Sequence, residues 1–228
     1  TAACLLAGFV LAGCSRQTQF TYEGSRLESM ARDLQENAQA DSFAKNLCVV
    51  TGEEGEEDAS VTAEAAAAFG IDSKQVIFQK NPFERLYPAS ITKIMTALIA
   101  IRDGDLTDSV TVGPETVITE TGASLAHINP GDTLTMEQLL YGLMLPSGND
   151  AGAAIAVHMA GSTEAFAEKM NETAHALGAT DTHFVNPHGL NNEDHYTTAY
   201  DLYLIFNEAL KYPEFRKIIG TVSYQAQY

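Results

Sequence analysis

Pro88-Ala89-Ser90-Ile91-Thr92-Lys93-Ile94-Met95-Thr96-Ala97-Leu98-Ile99-Ala100-Ile101 is the stretch around which the rest of the chain is organised. After Pro88, apolar residues and good helix formers continue to Arg102 and stop at Asp103-Gly104, which predicts a helix from about Ser90 to Arg102. Its apolar residues lie all round rather than on one stripe, so the helix belongs at the centre of a domain. Ser90 and Lys93, at i and i+3, share one face of its first turn. A serine hydroxyl is a poor nucleophile until a base takes its proton, and a lysine amine partly withdrawn from water can be that base. Ser-x-x-Lys alone is a weak signal, because chance places it about once in a chain of this length.

The chain has 228 residues, 45% hydrophobic and 19% charged, an ordinary globular composition with enough length for one large or two small domains. Its 30 acidic against 13 basic residues give a formal net charge of −17, which excludes nucleic-acid binding and electrostatic adhesion to anionic lipid as functions. Of three cysteines, Cys4 and Cys14 lie in the N-terminal segment, leaving Cys48 without an internal disulfide partner beyond it.

Residues 1–13 form an apolar run too short to span a bilayer but suited to the core of a secretory signal. The run ends in Leu11-Ala12-Gly13-Cys14, which resembles a bacterial lipobox. That resemblance implies cleavage before Cys14 and lipidation of its thiol, with more than one acyl chain for stable anchoring. Residues 14–45 then read as the lipidated cysteine and a polar spacer, with one weak helical face from Leu27, Met30, Ala31 and Leu34. The chain opens at Thr1 without a basic residue before Arg16, so the signal is expected to be partial.

From Asn46 onward the chain reads as one domain. Asn46 to Val50 looks like a first strand. The acidic run 52–58 lacks regularly spaced oxygen ligands and reads as a solvated loop. Ala63 to Phe69 and Gln75 to Lys80 read as an antiparallel pair joined by a turn, and Val110 to Val112 and Leu125 to Ile128 as short strands. Helices are expected over Met136 to Met144, Asp150 to Ala160, Glu164 to Leu177 and Ala199 to Leu210, with a short one over Pro213 to Ile219. A last strand is expected from Thr221 to Tyr224. Pro146 ends one helix just before the next begins, which leaves Ser147 and Asn149 in a tight turn with side chains free to enter a cleft.

Ser-x-x-Lys followed by Ser147-Gly148-Asn149 is a far stronger signal than either motif alone. Tyr87 to Leu98, Leu143 to Ala151 and Thr182-His183-Phe184-Val185-Asn186-Pro187-His188-Gly189-Leu190 together resemble the serine-type D-alanyl-D-alanine carboxypeptidases, the low-molecular-mass penicillin-binding proteins. The resemblance runs from about Asn46 to Tyr224. It implies an α/β (α+β) fold of the β-lactamase and transpeptidase kind: an antiparallel sheet flanked by helices, a mainly helical lobe, and a site between them. It also implies roles. Ser90 would be the acyl-enzyme nucleophile and its backbone N–H half of an oxyanion hole; Lys93 the general base; Ser147 a proton relay; Asn149 a holder of substrate and of Lys93. The implied partners are a peptidoglycan pentapeptide, β-lactam inhibitors and a membrane reached through the lipid anchor on the extracytoplasmic face, with neither cofactor nor metal. The family's third motif, Lys-Thr-Gly, is missing: none of Lys80, Lys93, Lys169, Lys211 and Lys217 precedes Thr-Gly. The catalytic domain 46–228 is therefore expected to be partial and, by itself, inactive.

Three other readings compete. His183, His188 and His195 beside Asp181 and Asp194 invite a zinc peptidase, but their spacing matches no His-Glu-x-x-His helix. A serine β-lactamase needs a deacylating group, whereas Glu164, Glu168 and Glu172 read as the polar face of a capped helix. A non-hydrolytic penicillin-binding sensor lipoprotein would keep the fold without turnover. The aromatic band Tyr196, Tyr200, Tyr203, Phe206, Tyr212 and Phe215 is assigned to core packing.

Overall fold

Helix α1, Lys93–Asp103, is the axis of the described residues: Met95, Ala97, Leu98, Ile99 and Ala100 are at most 1% exposed, and it touches every other α-helix among the described residues of the computed structural model. The structure describes residues 46–50 and 61–227. Burying side chains such as Leu98 and Ile99 contributes about 1.5–3 kcal/mol each, so an apolar sequence on all sides is what this position requires. The sequence places the helix start three residues early. Ala89–Thr92 form a turn of 3-10 helix that runs directly into α1.

Ahead of it, strands β1 (Ala66–Gly70) and β2 (Gln75–Lys80) pair antiparallel as expected. The register slips between Ala68 and Phe69, a bulge that turns Phe69 toward the Tyr203 ring, 4.1 Å away between centroids. A second hairpin joins β3 (Ser109–Thr111) to β4 (Thr133–Thr135). Beyond it lie α2 (Met136–Met144), α3 (Asn149–Ala160), α4 (Thr163–Ala176), α5 (Ala199–Ala209) and α6 (Pro213–Ile219). Each of these five helices lies within about a residue of its expected bounds, because cap chemistry marks them. Thr135 and Gln138 close a capping box on α2, and Ser162 and Thr198 accept from the third amide of α4 and α5. Glu164, Glu168 and Glu172 are exposed on α4, as the polar face requires. The aromatic band packs: Phe215 and Tyr203 are buried, and Phe206 meets Phe215 edge to face. No helix among the described residues is long and apolar enough to cross a membrane.

Three expected strands are corrected. Residues 46–50 form no ladder among the described residues, and at their centre tyrosine hydroxyls take both backbone groups of one residue: Cys48 N donates to Tyr203 Oη at 2.8 Å and Tyr200 Oη donates to Cys48 O at 2.9 Å. Leu125 to Ile128 is irregular, its amides bonded to a carboxylate. Thr221 to Tyr224 pairs with no strand among the described residues; Tyr224 instead stacks on Tyr141, 3.8 Å between ring centroids. All three are rich in apolar residues, and in each the backbone groups or side chains find another partner. The acidic run 52–58, the spacer and Cys14 lie outside the described residues.

Candidate active site

The chain enters the site through Pro88, after which Ala89 takes a left-handed φ of 48°. That conformation, strained for a residue with a Cβ, starts the turn that leaves Ser90 exposed at the head of a buried helix. One turn on, Lys93 is 2% exposed. Its Nζ donates to Ser90 Oγ at 3.0 Å, to Asn149 Oδ1 at 2.7 Å and to the His188 carbonyl at 2.8 Å. An ammonium has three N–H bonds, and all three are matched. Burial pushes the Lys93 pKa from 10.5 down to about 8, against the opposing pull of the Asp150 charge. Near neutrality a useful fraction of the amine is therefore free to accept the Ser90 proton.

A loop after α4 forms one wall. Thr96 Oγ1 donates to Pro187 O at 2.6 Å, while Asn186 Oδ1 accepts from Gly189 N at 2.7 Å and folds the loop on itself. Gly189 has a φ of 85° and lies so close to the serine turn that a Cβ there would stand 1.8 Å from Ala89 O. Val185 N donates to His195 Nδ1 at 3.0 Å, which fixes Nδ1 as acceptor, so the opposite N–H of His195 donates to Thr92 Oγ1 at 2.8 Å. Burial holds the pKa values of His188 and His195 down at about 4, with the Lys93 charge adding to the effect at His188. Both rings are neutral at pH 7. His183 lies apart, its Nδ1–H donating to Asp194 O at 2.6 Å. These histidines fasten the loop, and among the described residues no three His, Cys, Asp or Glu side chains are grouped to hold a metal.

The second wall is the turn between α2 and α3. Ser147 has a φ of 61°, and Gly148 has room for no side chain, since a Cβ would meet Gly142 O at 2.6 Å. Asn149 opens α3 with its amide donating to Ser124 O at 2.8 Å. The structure thus gathers Ser90, Lys93 and Asn149 into one hydrogen-bonded group. Ser147 sits two residues upstream of Asn149, outside that group. Sequence reasoning missed the partners behind them: Thr92, Thr96, Asp150, His195 and the His188 carbonyl. Two threonines inside an otherwise apolar helix, flanking the lysine, were the available signal.

A profile of the D-alanyl-D-alanine carboxypeptidase family matches residues 52–228. The chain is 39% identical over 174 residues to D-alanyl-D-alanine carboxypeptidase DacF of Bacillus subtilis, covering 74% of this chain and 45% of that protein. To D-alanyl-D-alanine carboxypeptidase DacA of Escherichia coli it is 38% identical over 154 residues, covering 64% and 38%. It thus spans less than half the length of these two relatives. A solved mutant of a Streptomyces DD-transpeptidase superposes with a TM-score of 0.71 at 33% identity, over 74% of this chain and 69% of that one. The D-alanyl-D-alanine carboxypeptidase of Mycobacterium tuberculosis gives 0.66 at 33% identity, over 75% and 64%. With α1 presenting Ser90 beside a buried Lys93, on a mixed α/β fold shared with these enzymes, the chain belongs to the D-alanyl-D-alanine carboxypeptidase family.

Proposed function

We propose that the whole protein, of which this chain carries the first two motifs, hydrolyses the terminal D-alanyl-D-alanine bond of peptidoglycan stem peptides through a serine acyl-enzyme. The observation that carries this reading is an exposed Ser90 hydroxyl 3.0 Å from the nitrogen of a buried lysine. Lys93, once neutral, takes the Ser90 proton as Oγ attacks the carbonyl between the two D-alanines. The Ser90 N–H, at the head of the first helical turn, faces the developing oxyanion. Ser147 passes a proton to the departing amine, so one D-alanine leaves and the acyl group stays on Ser90. Asn149 holds the Lys93 nitrogen and the substrate amide. Water then releases the shortened peptide; a β-lactam acylates the same oxygen and stays.

The same reading puts the protein at the outer face of a bacterial membrane, with residues 1–13 as part of a signal, Cys14 lipidated, 14–45 as spacer and 46–228 as catalytic domain. Radiolabelled palmitate should enter the protein and be lost in Cys14→Ala; incorporation in that variant refutes the anchor. For the enzyme, a fluorescent penicillin should label the whole protein covalently, and Ser90→Ala should abolish the label. Release of D-alanine from diacetyl-lysyl-D-alanyl-D-alanine should disappear in the same variant. Labelling or release that survives in Ser90→Ala removes Ser90 from the chemistry.

A further inference from the structure

The Asp150 side chain is 1% exposed, yet it faces no cation within ion-pair distance among the described residues. Its carboxylate accepts three backbone amides instead: Ala126 N at 2.8 Å and its own neighbour Ala151 N at 2.9 Å on Oδ1, and Ile128 N at 3.1 Å on Oδ2. Ala126 and Ile128 are alternate residues of the segment that reads as a strand but forms none. The carboxylate occupies the place of a partner strand. The same oxygen packs against the Ser147–Asn149 turn, since a Cβ on Gly148 would stand 2.7 Å from Asp150 Oδ1. One residue earlier, Asn149 binds Ser124 O with its amide and the Lys93 ammonium with its side chain.

We propose that Asp150 is a positioning residue of this site: one buried carboxylate ties the Ser124–Ile128 wall to the Ser147–Asn149 turn and supplies the negative field in which Lys93 works. The charge term rests on the acyl-enzyme reading above, while the tie stands without it. Around Lys93 the titratable groups are few. Asp150 on α3 favours its charged form. His188 in the facing loop is neutral and is itself influenced by Lys93 and Glu120, and His195 lies beyond Thr92. Among the described residues, Asp150 is therefore the one anion acting on the lysine in the direction opposite to burial. Without it, burial is opposed only by the hydrogen bonds to Nζ, and Lys93 becomes a weaker base that is neutral at lower pH.

The test is a titration of Lys93 by the 13Cε shift of its labelled side chain, together with amide exchange, in wild type, Asp150→Asn and Asp150→Glu. Neither readout needs substrate. In Asp150→Asn the Lys93 midpoint should fall by at least about half a pH unit, and exchange at Ala126 and Ile128 should accelerate at least about tenfold while Leu98 stays protected. Asp150→Glu keeps the charge and shifts the carboxylate by a methylene, so those two amides lose protection while the midpoint stays near 8. If Asp150→Asn does not fold, the glutamate variant carries the test. An unmoved midpoint in folded Asp150→Asn overturns the field, and unchanged amide exchange in Asp150→Glu overturns the tie. Failure of wild type to react with penicillin, with these shifts intact, counts against the acyl-enzyme reading alone.

Discussion

Lys93 Nζ stands 3.0 Å from Ser90 Oγ although the lysine is 2% exposed and the serine is open to solvent. A buried amine at the base of an exposed hydroxyl is an arrangement that costs stability, because desolvation disfavours the charge the lysine carries in the unfolded chain. Three hydrogen bonds and the Asp150 field offset that cost without reversing it, and the pKa remains depressed at about 8.

The pH dependence of acylation follows. Only neutral Lys93 can take the serine proton, so the rate of covalent labelling should rise with pH, increasing about tenfold per unit below 8 and levelling above it. Stopped-flow fluorescence with a penicillin at several pH values measures it. A flat profile between pH 6 and 9 removes Lys93 as the base.

Gly189 should tolerate no side chain. Alanine there would meet a left-handed φ of 85° and place its Cβ 1.8 Å from Ala89 O, a backbone atom fixed by the serine turn. Gly189→Ala should cost about 3 kcal/mol or more in urea unfolding, and the folded fraction should acylate slowly because the Ser90 turn is displaced. A variant as stable and as reactive as wild type contradicts the close approach.

Acid should loosen the loop before it unfolds the rest. His188 and His195 have folded pKa values of about 4, below the ordinary 6.5 of the unfolded chain. Between these values the unfolded state binds more protons, so stability rises with pH across the window and is lost as pH falls from 6.5 toward 4. His195→Gln keeps an N–H for Thr92 but loses the acceptor for Val185. It should be about 1 kcal/mol less stable at pH 7.5 and show a shallower loss on acidification. Equal slopes for both proteins in urea unfolding at pH 7.5, 6 and 4.5 would exclude His195 as a source of acid lability.

How much of this was legible beforehand depends on where each backbone group finds its partner. Helices are set by neighbours in sequence, and the structure shows their starts closed locally, by Thr135 with Gln138 and by Ser162 ahead of Ala165. The three misread strands are short apolar-rich runs, yet Cys48 bonds two tyrosines from a helix 152 and 155 residues away, and Ala126 and Ile128 bond Asp150. Short apolar runs report burial and not what binds the amides. At the site, Ser90, Lys93 and Asn149 were visible because motif spacing carries them. The His188 contribution is a backbone carbonyl, and no residue type encodes that.

Asn149 offers the most direct control over the lysine, because its Oδ1 lies 2.7 Å from Nζ. Asn149→Asp replaces a neutral acceptor with a carboxylate in the same place. The added negative charge favours the ammonium, so the Lys93 pKa should climb and the pH limb of acylation should move upward by at least about one unit. At pH 7 the variant should label at least about tenfold more slowly than wild type, with the deficit narrowing as pH rises toward 10. Asn149→Ala removes the acceptor without adding charge, so its acylation should be slow at every pH and no upward shift should appear. Labelling rates for the three proteins across pH 6 to 10 separate the two effects. If Asn149→Asp keeps the wild-type limb, the 2.7 Å contact does not govern the proton on Lys93.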